Sequence, residues 1–276
     1  QYQPLVNRMP GNIHSVPVGS NSSPIDMRKL LGSISPDVIV DLQNNFATRF
    51  ASIGKPVPCR FRMNRKLRKK VMEKKAVSMP LRTSEFLQCA GFEDYSDPVL
   101  ERVKQTVNNG LRIGIVTGGR WSLKSIPAGV ITETARVLTD LHHADIVLLG
   151  GVEDREVILR AASLTGRSNI EVYLGERGIE GLIETVESLD LLISPDSGPA
   201  HLAEALGVPV LVVFTSTSPE LGFWKIDRRG NFMVPDVECR PCHRHGGRTC
   251  SDGSEKCRKG ILPFILANRG MELIES

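Results

Sequence analysis

The sequence predicts an α/β fold with two Rossmann-like domains, and three observations support this prediction. Short runs of Ile, Val and Leu alternate with helical segments from residue 111 onward. The first hundred residues carry a sparser version of the same alternation. The chain has 276 residues, which is enough for two typical domains. Because strands buried on both faces of a parallel sheet have continuous apolar runs, we expect a doubly wound sheet in the second half.

Apolar runs in the second half predict strands, and amphipathic segments predict the helices between them. Pro127 and Pro199 suit the first turn of a helix, where an N–H group is not needed. Ligands of such a sheet bind at the carboxyl ends of its strands. The predicted strands are Leu111–Thr117, Asp145–Leu149, Ile170–Leu174, Asp190–Ser194 and Pro209–Thr215, and the predicted helices are Pro127–Asp140, Glu153–Thr165, Ile179–Ser188 and Pro199–Leu206.

The first half is also predicted to be α/β. The polar stretch 94–110 favours a domain boundary, so we assign residues 1–105 to a first domain and 106–276 to a second. The chain begins at Gln1 without a methionine, and we expect the first domain to be truncated and to lack its N-terminal strand. The predicted strands are Asp37–Leu42 and Pro56–Phe61, and the predicted helices are Ala47–Ile53 and Pro80–Ala90.

Composition excludes a disordered or collagen-like chain, since 41% of the residues are hydrophobic and 24% are charged. No apolar run is long enough for a membrane helix. The net charge of +4 is concentrated in one stretch, where nine basic residues accompany Glu73 alone. This stretch is either a solvated helix face or a docking surface for a polyanion. Phe61 is its one aromatic residue, so we expect no nucleic acid partner. The basic residues are Arg60, Arg62, Arg65, Lys66, Arg68, Lys69, Lys70, Lys74 and Lys75.

Three loops that follow predicted strands have chemistry suited to a nucleotide sugar. Arg120 and Lys124 follow the first strand of the second half, where a diphosphate needs positive charge, although the spacing is that of neither a Walker loop nor a G-x-G-x-x-G fingerprint. Glu153 and Asp154 follow the next strand, in a position suited to ribose hydroxyl groups. Three such loops at one sheet edge favour a ligand site more strongly than any one of them.

The third loop, Pro195-Asp196-Ser197-Gly198, precedes a predicted helix. Its small residues allow close backbone approach, and the N–H groups of a helix start hold anionic oxygens. Asp196 can accept hydrogen bonds from sugar hydroxyl groups. The alternative is an aspartate that serves as an ordinary helix N-cap.

Four stretches carry a resemblance to a known family. In Pro195–Pro219 the sequence PDSGPAHLAEALGVPVLVVFTSTSP is the most specific of them. The others are Val38–Asn45 (VIVDLQNN), Gly118–Pro127 and Cys239–Ile261, which contains a C-x-P-C motif. Together they resemble the ADP-heptose:lipopolysaccharide heptosyltransferase family (glycosyltransferase family nine), whose members have the two-domain GT-B fold.

The resemblance implies an inverting glycosyltransferase that transfers a heptose from ADP-heptose to the lipopolysaccharide inner core and requires no cofactor. Lys124 would neutralise the diphosphate, and Glu153 or Asp154 would bind the ribose. Asp196, with the backbone of Ser197 and Gly198, would hold heptose hydroxyl groups and phosphate oxygens. His201 would support the loop from inside the helix, unless it is a core histidine.

The family's general base is an aspartate in a Gly-Asp motif after the first strand, and this motif is absent from the sequence. The catalytic base is therefore unknown. Asp41 is the only substitute we can name, with a structural carboxylate as the alternative reading. The absent motif also leaves open a non-catalytic nucleotide-sugar-binding module. Ser125 and Ile126 replace the family's usual basic residue and Trp before Pro127, and Ser216 stands where the family has Gly after Phe214. Either departure leaves open another sugar donor.

The resemblance also implies a lipid-linked acceptor with phosphorylated sugars, which the basic stretch would suit. We therefore expect a cytoplasmic protein that contacts the inner face of the cytoplasmic membrane. Cys59 and Cys89 stand alone in the sequence, and isolated thiols fit a reducing cytosol.

Four further cysteines, Cys239, Cys242, Cys250 and Cys257, lie close together in the sequence. Their spacing is partly that of a zinc knuckle, so a structural zinc, disulfides and reduced thiols all remain possible readings. We expect this segment to lie outside the strand-end cleft and to have no catalytic role.

Overall fold

The computed structural model describes residue 9 and residues 23–36, 39–41, 46–55, 57, 59, 60, 62–89, 91, 99, 100 and 110–275. The chain divides into two compact units. The larger unit comprises Gln1–Ile13, Pro98–Pro219 and Ile226–Ser276, and the smaller comprises His14–Asp97 and Glu220–Lys225. The predicted boundary at residues 105 and 106 lies outside the described residues.

The larger unit is built on a parallel sheet. Its strands are β3 (Arg112–Val116), β4 (Asp145–Leu149), β5 (Ile170–Tyr173), β6 (Leu191–Pro195), β7 (Val210–Val213) and β8 (Phe232–Met233). The strand order is β5-β4-β3-β6-β7-β8, so the chain moves outward from β3 to β5 and then returns to the other side of β3. The strand order therefore reverses between β3 and β6, and a crevice for a ligand forms at the carboxyl ends of these two strands.

Helices cover the sheet of the larger unit because the strands are apolar on both faces. The central strands β6 and β7 are buried at every position. One helix begins with Gly198 and Pro199, and the missing N–H of Pro199 is not needed in that first turn. The helices are α5 (Ala128–His142), α6 (Arg155–Thr165), α7 (Gly178–Glu187), α8 (Gly198–Ala205), α9 (Lys256–Lys259) and α10 (Pro263–Glu275), and 3-10 turns span Ser122–Lys124, Val152–Asp154 and Ile226–Asn231.

The core of the larger unit lies between the sheet and the helices α5, α6 and α10. Ile113, Ile115 and Ile193 of the strands are buried together with Ile131 of α5 and Leu266 of α10. Each such side chain that leaves water contributes roughly 1.5–3 kcal/mol relative to an exposed one. The rigid sheet that results fixes where the loops at its carboxyl edge begin.

The smaller unit has two short parallel strands, with Val40 paired to Cys59 and Asp41 paired to Arg60. Its helix α3 turns one side to a small core of Val71, Met79 and Leu221. The elements are α1 (Pro24–Ile34), β1 (Val40–Asp41), α2 (Phe46–Ala51), β2 (Cys59–Arg60), α3 (Arg65–Met72) and α4 (Arg82–Cys89).

The fold class agrees with the sequence prediction, since every predicted strand of the second half is present in a parallel sheet. The predicted strand Asp37–Leu42 is described only in part, because residues 37, 38 and 42 lie outside the described residues. Cys89 is disulfide-bonded, so the expectation of an isolated thiol at this position was wrong. The spacing of cysteines along the chain does not show which thiols lie close enough to form a disulfide. Over the part of the chain that the structure describes, no helix is long and apolar enough to cross a membrane.

Candidate functional site

An ion pair lies at the point where the strand order reverses. Lys124 follows β3, Asp196 follows β6, and Lys124 Nζ lies 2.7 Å from Asp196 Oδ2. The two side chains are only 17% and 10% exposed. Because they are largely removed from water, their attraction is screened less than that of a surface pair. The sequence predicted both residues for the site, and the structure brings them together.

A threonine from the loop after β7 binds the carboxylate of this pair. Thr217 Oγ1 donates a hydrogen bond of 3.0 Å to Asp196 Oδ2. Thr217 belongs to a run of four buried hydroxyl residues, Thr215–Ser218, that directly follows β7. Of this run, sequence reasoning connected only Ser216 with the donor, and it did not assign Thr217 to the site. The signal was available, since consecutive hydroxyl residues after a buried strand stand at the same edge as Asp196.

The start of α8 lies beside the ion pair. Ser197 is the N-cap residue of α8, and its side chain makes no capping hydrogen bond. Its Oγ lies instead 3.0 Å from Ser194 Oγ. The reading of Asp196 as an ordinary N-cap is therefore wrong, because its carboxylate is bound to Lys124 and Thr217. Gly198 is exposed, and an added Cβ there would contact nothing within 4 Å. A helix start with room beside it favours an anion.

His201 lies one turn into α8 and is exposed, so the structure does not place it in the core. Although its side chain reaches solvent, the protein around the ring desolvates the imidazolium and lowers the pKa of His201. Asp196 opposes this lowering of the pKa, and Lys124 adds to it. The ring therefore lies within electrostatic reach of the ion pair.

The two carboxylates after β4 have different surroundings. Asp154 Oδ2 accepts a hydrogen bond of 3.3 Å from Gly151 N, and its carboxylate lies against Gly118, where an added Cβ would be 1.9 Å from Oδ2. Burial raises the pKa of Asp154, the charge of Glu153 raises it further, and the hydrogen bond from Gly151 opposes both. Glu153 is exposed, with its carboxylate folded back over Gly151. The predicted pair thus comprises one packed carboxylate and one exposed carboxylate.

Arg120 is exposed after β3, with its guanidinium carbon 5.4 Å from the centre of the Trp121 ring. This distance is within the range of a cation–π contact. Arg120 therefore adds positive charge to the loop that carries Lys124.

The residues between Cys242 and Cys250 also contact the loop that carries Lys124. A Cβ at Gly246 would lie 2.7 Å from both Lys124 Cδ and Trp121 Cβ. Leu123 N donates a hydrogen bond of 3.0 Å to Gly247 O, and Ser122 Oγ donates one of 3.1 Å to Arg248 O. The expectation that the cysteine segment lies outside the strand-end cleft was therefore wrong, because its continuation packs directly on Lys124.

The four cysteines of this segment are free thiols. Burial raises the pKa of Cys242, and Cys239, Cys257 and Cys250 raise it further, so the thiols lie near one another. Cys242 Sγ donates to Ser216 O at 3.7 Å, and Cys250 Sγ donates to Asp252 Oδ1 at 3.0 Å. Within the described ranges, no group of three or more His, Cys, Asp or Glu residues could hold a metal ion. Of the three alternatives left open for these cysteines, the structure therefore has free thiols and not disulfides, and it does not group them as metal ligands.

The basic stretch is a helical surface of the smaller unit. Asn64 caps α3 by accepting a hydrogen bond of 2.9 Å from Leu67 N, and Val71 is buried. Glu73 pairs with Lys75 at 2.9 Å and with Lys69 at 3.6 Å. Hydrogen bonding to Lys75 is the main cause of the lowered pKa of Glu73. We call the exposed members the basic surface, and they are Arg62, Arg65, Lys66, Lys69, Lys70, Lys74 and Lys75.

Asp41, the predicted substitute for the catalytic base, is the last residue of β1. Its backbone is paired with Arg60 in β2. Asp41 therefore lies in a parallel strand pair of the smaller unit, as the sequence predicted for a strand in this region.

The fold and the edge of the sheet define the class of protein first. This is a doubly wound α/β unit with a lysine, an aspartate and a helix start at its switch point, the place where proteins of this class bind their ligands. The chain belongs to glycosyltransferase family 9 (heptosyltransferase), whose family model matches residues 63–249.

Individual relatives agree with this family. The lipooligosaccharide heptosyltransferase 2 of Campylobacter jejuni is 26% identical over 180 residues, which are 62% of this chain and 53% of the relative. The chain spans about half the length of the curated relatives it matches.

Two solved structures share the fold. The ADP-heptose LPS heptosyltransferase II of E. coli superposes with a TM-score of 0.73 at 17% identity, covering 99% of this chain and 87% of that one. The E. coli heptosyltransferase WaaC, solved with ADP, superposes with a TM-score of 0.58 at 18% identity, covering 90% of this chain and 79% of that one. The expected GT-B class of fold is thus confirmed.

Proposed function

We propose that the protein is an inverting glycosyltransferase that transfers a heptose from ADP-heptose to the inner core of lipopolysaccharide. The observation that carries this proposal is the Lys124–Asp196 pair beside the start of α8, at the switch point of the sheet. ADP-heptose is named for the E. coli heptosyltransferase II, and ADP is bound in the WaaC structure. Membership of the same family supports the same donor here.

The diphosphate of the donor would lie between Lys124 and the first N–H groups of α8. Lys124 supplies a full positive charge and the helix start a partial one, and both favour an anion. Arg120, which is exposed in the loop that carries Lys124, would add positive charge. Asp196, already held by Lys124 and Thr217, would accept hydrogen bonds from heptose hydroxyl groups.

The ribose of the donor would bind Glu153. This carboxylate is exposed at the carboxyl edge, whereas Asp154 is packed on Gly118 and bound to Gly151 N. We therefore assign Asp154 to the structure of the loop and Glu153 to the ligand. His201, whose lowered pKa favours the neutral ring, would serve the phosphate-binding loop as a hydrogen-bonding group.

The reaction is a direct displacement at the anomeric carbon. An acceptor hydroxyl oxygen attacks that carbon while the bond from the carbon to the phosphate oxygen breaks, and the configuration inverts. The hydroxyl proton passes to a general base, and ADP departs with an additional negative charge. Lys124, whose side chain is largely buried, and the α8 start would stabilise that charge.

The base that receives the proton is unknown, and Asp41 is the substitute named from the sequence, with a structural carboxylate as the alternative. An Asp41→Asn variant keeps the size of the side chain and removes its basicity. Transfer should fall by about 100-fold or more while the Kd for ADP stays unchanged. Unchanged transfer would remove Asp41 from this role.

The acceptor would be lipid-linked and anionic, and the basic surface of α3 is the part of the chain that suits it. Each Lys or Arg near an anionic membrane contributes about 1 kcal/mol of attraction. We propose that the protein works in the cytoplasm, in peripheral contact with the inner face of the cytoplasmic membrane, and without a nucleic acid partner. No cofactor is needed for the displacement.

A non-catalytic nucleotide-sugar-binding module is the second candidate. Incubating the chain with ADP-heptose and a lipid-linked inner-core acceptor distinguishes the two by mass spectrometry. The proposal expects an acceptor heavier by one heptose, with the anomeric configuration inverted by NMR. Binding of ADP without any product would favour the module, and transfer from another nucleotide sugar alone would correct the donor.

A further inference from the structure

Arg240 is a buried arginine whose known hydrogen bonds go to backbone carbonyl groups. It is only 8% exposed. Its Nε donates to Thr215 O at 2.7 Å, its Nη2 to Thr217 O at 2.8 Å and its Nη1 to Pro235 O at 3.2 Å. A buried guanidinium is costly unless its donors are used. Here the Nε and Nη2 donors bind the carbonyl groups of Thr215 and Thr217 and so fix the loop after β7.

The residues that follow Arg240 complete this contact. Cys242 N and His243 N donate to Ser216 O at 3.2 and 3.1 Å. The three consecutive carbonyl oxygens of residues 215–217 therefore all accept hydrogen bonds from residues 240–243. A loop held at three successive carbonyl groups has little freedom to move its side chains away from one arrangement.

The side chains of the same loop lead to the ion pair. Thr215 Oγ1 donates to Leu123 O at 2.5 Å, which fixes the residue before Lys124. Thr217 Oγ1 donates to Asp196 Oδ2, the oxygen that binds Lys124 Nζ. The fixed loop thus contacts both partners' segments of the ion pair. It binds the backbone carbonyl of Leu123, which precedes Lys124, and it binds the carboxylate of Asp196.

We infer that Arg240 is a positioning residue for the donor site, which acts through Thr215 and Thr217 on the Lys124–Asp196 pair. The inference rests on the proposed function, because the pair is taken to bind the donor diphosphate. Arg240 itself donates hydrogen bonds to backbone carbonyl groups of the loop after β7. Its role is to keep the Lys124–Asp196 pair in one geometry. A displacement of about 1 Å at such a pair can lower activity by a large factor.

Arg240→Lys tests this role, because it keeps the charge and removes the planar fork that reaches two carbonyl groups. We expect the Kd for ADP to rise about tenfold, with the KM for the acceptor unchanged. Arg136→Lys is the matched control. Arg136 also holds two carbonyl groups of the larger unit, Thr165 O at 3.1 Å and Leu164 O, and it belongs to α5 and not to the edge loops. The control should leave the Kd for ADP unchanged.

A double-mutant cycle separates positioning from general destabilisation. Thr217→Val removes the hydroxyl that links the loop to Asp196, and the double variant with Arg240→Lys should bind ADP about as weakly as the weaker single variant. Effects that multiply would contradict the inference. If Arg240→Lys does not fold, Thr215→Val and Thr217→Val test the same path, and unchanged Kd values in both would overturn it.

Measuring the Kd for ADP also separates this inference from the proposed function. Wild-type protein that does not bind ADP would contradict the proposed function and the inference with it. Wild-type protein that binds ADP, with the same Kd in Arg240→Lys, would contradict the inference alone.

Discussion

The loops at the switch point and the basic surface of α3 both present positive charge, but in opposite ways. Lys124 is largely buried and bound at 2.7 Å to Asp196, which Thr217 and the start of α8 surround. The lysines of the basic surface are exposed, and Lys69 is 74% exposed in its pair with Glu73. The loops at the switch point hold the positive charge of Lys124 in one position, whereas the basic surface exposes several positive charges to solvent.

This difference predicts different kinds of recognition. A fixed and desolvated charge discriminates by geometry, since its partner must meet it at one position. Exposed charges attract any anionic surface, and salt screens them within a Debye length of about 8–10 Å. Binding at the switch point should therefore depend on the chemical structure of the ligand, and binding at the basic surface should depend on salt.

The largest effect is expected at the buried charge. Lys124→Met removes the charge that would bind the diphosphate and leaves Asp196 without its cation. We expect the Kd for ADP to rise on the order of 100-fold, about 3 kcal/mol, by calorimetric titration. Lys259→Met, at an exposed lysine of the same unit, is the control and should bind ADP as the wild type does. A small effect at Lys124 would remove the contrast between the two regions.

A smaller effect is expected at the exposed charges. Lys69→Glu combined with Lys70→Glu should weaken binding to vesicles with anionic lipid by about 30-fold at low salt, since each lysine contributes about 1 kcal/mol. The difference should shrink as salt is raised. ADP binding should not change.

The control for this variant is Lys256→Glu with Lys259→Glu, two exposed lysines of the larger unit. These substitutions change the net charge equally without touching α3. If both double variants lose vesicle binding to the same extent, the net charge and not the basic surface is responsible.

A glycine beside Lys124 offers a geometric test. Gly246→Ala places a Cβ 2.7 Å from Lys124 Cδ and Trp121 Cβ, at a backbone φ of +106°. The resulting shift of Lys124 should weaken ADP binding about tenfold. Gly253→Ala is the matched control, because its φ of +70° is also left-handed while nothing lies within 4 Å of the new Cβ. It should cost about 1–2 kcal/mol of stability and leave the Kd for ADP unchanged.

The smallest effect is expected from His201. Burial lowers its pKa in the folded protein, so the unfolded chain binds the proton first as the pH falls. Wild-type protein should therefore lose thermal stability relative to His201→Gln below the unfolded pKa of about 6.5. The difference in Tm should be constant above about pH 7.5. A Tm difference that does not vary between pH 5 and 8 would show that the protein around the ring does not lower the pKa of His201.

The fold of the larger unit follows closely from its sequence. Continuous apolar runs such as that of Asp145–Leu149 have no competing interpretation once helices separate them. The helix α10 was not predicted, although its apolar residues at helical spacing pack Leu266 and Ala267 on the sheet. Helix α1 was also missed, and there the signal was local, because Ser23 and Asp26 form a capping box before an apolar segment.

The site was predictable where chemistry follows directly after a strand, as it does at Lys124 and Asp196. It was not predictable where distant segments return to the edge. Arg240 and Gly246 lie more than a hundred residues after Lys124, and only the tertiary fold brings Arg240 to Thr215 and Gly246 to Lys124. Cysteine spacing suggested zinc ligands, but Cys242 and Cys250 donate hydrogen bonds to Ser216 and Asp252 instead.

We expect the β3–β6 edge to hold the diphosphate of an adenine nucleotide sugar. The decisive experiment titrates wild-type protein and Lys124→Met with ADP-heptose, a UDP-sugar and a GDP-sugar. ADP-heptose should bind at least about tenfold more tightly than the other two, and Lys124→Met should lose most of this affinity. Equal binding of all three sugars, or an unchanged Kd in Lys124→Met, would overturn the assignment of this edge to the donor.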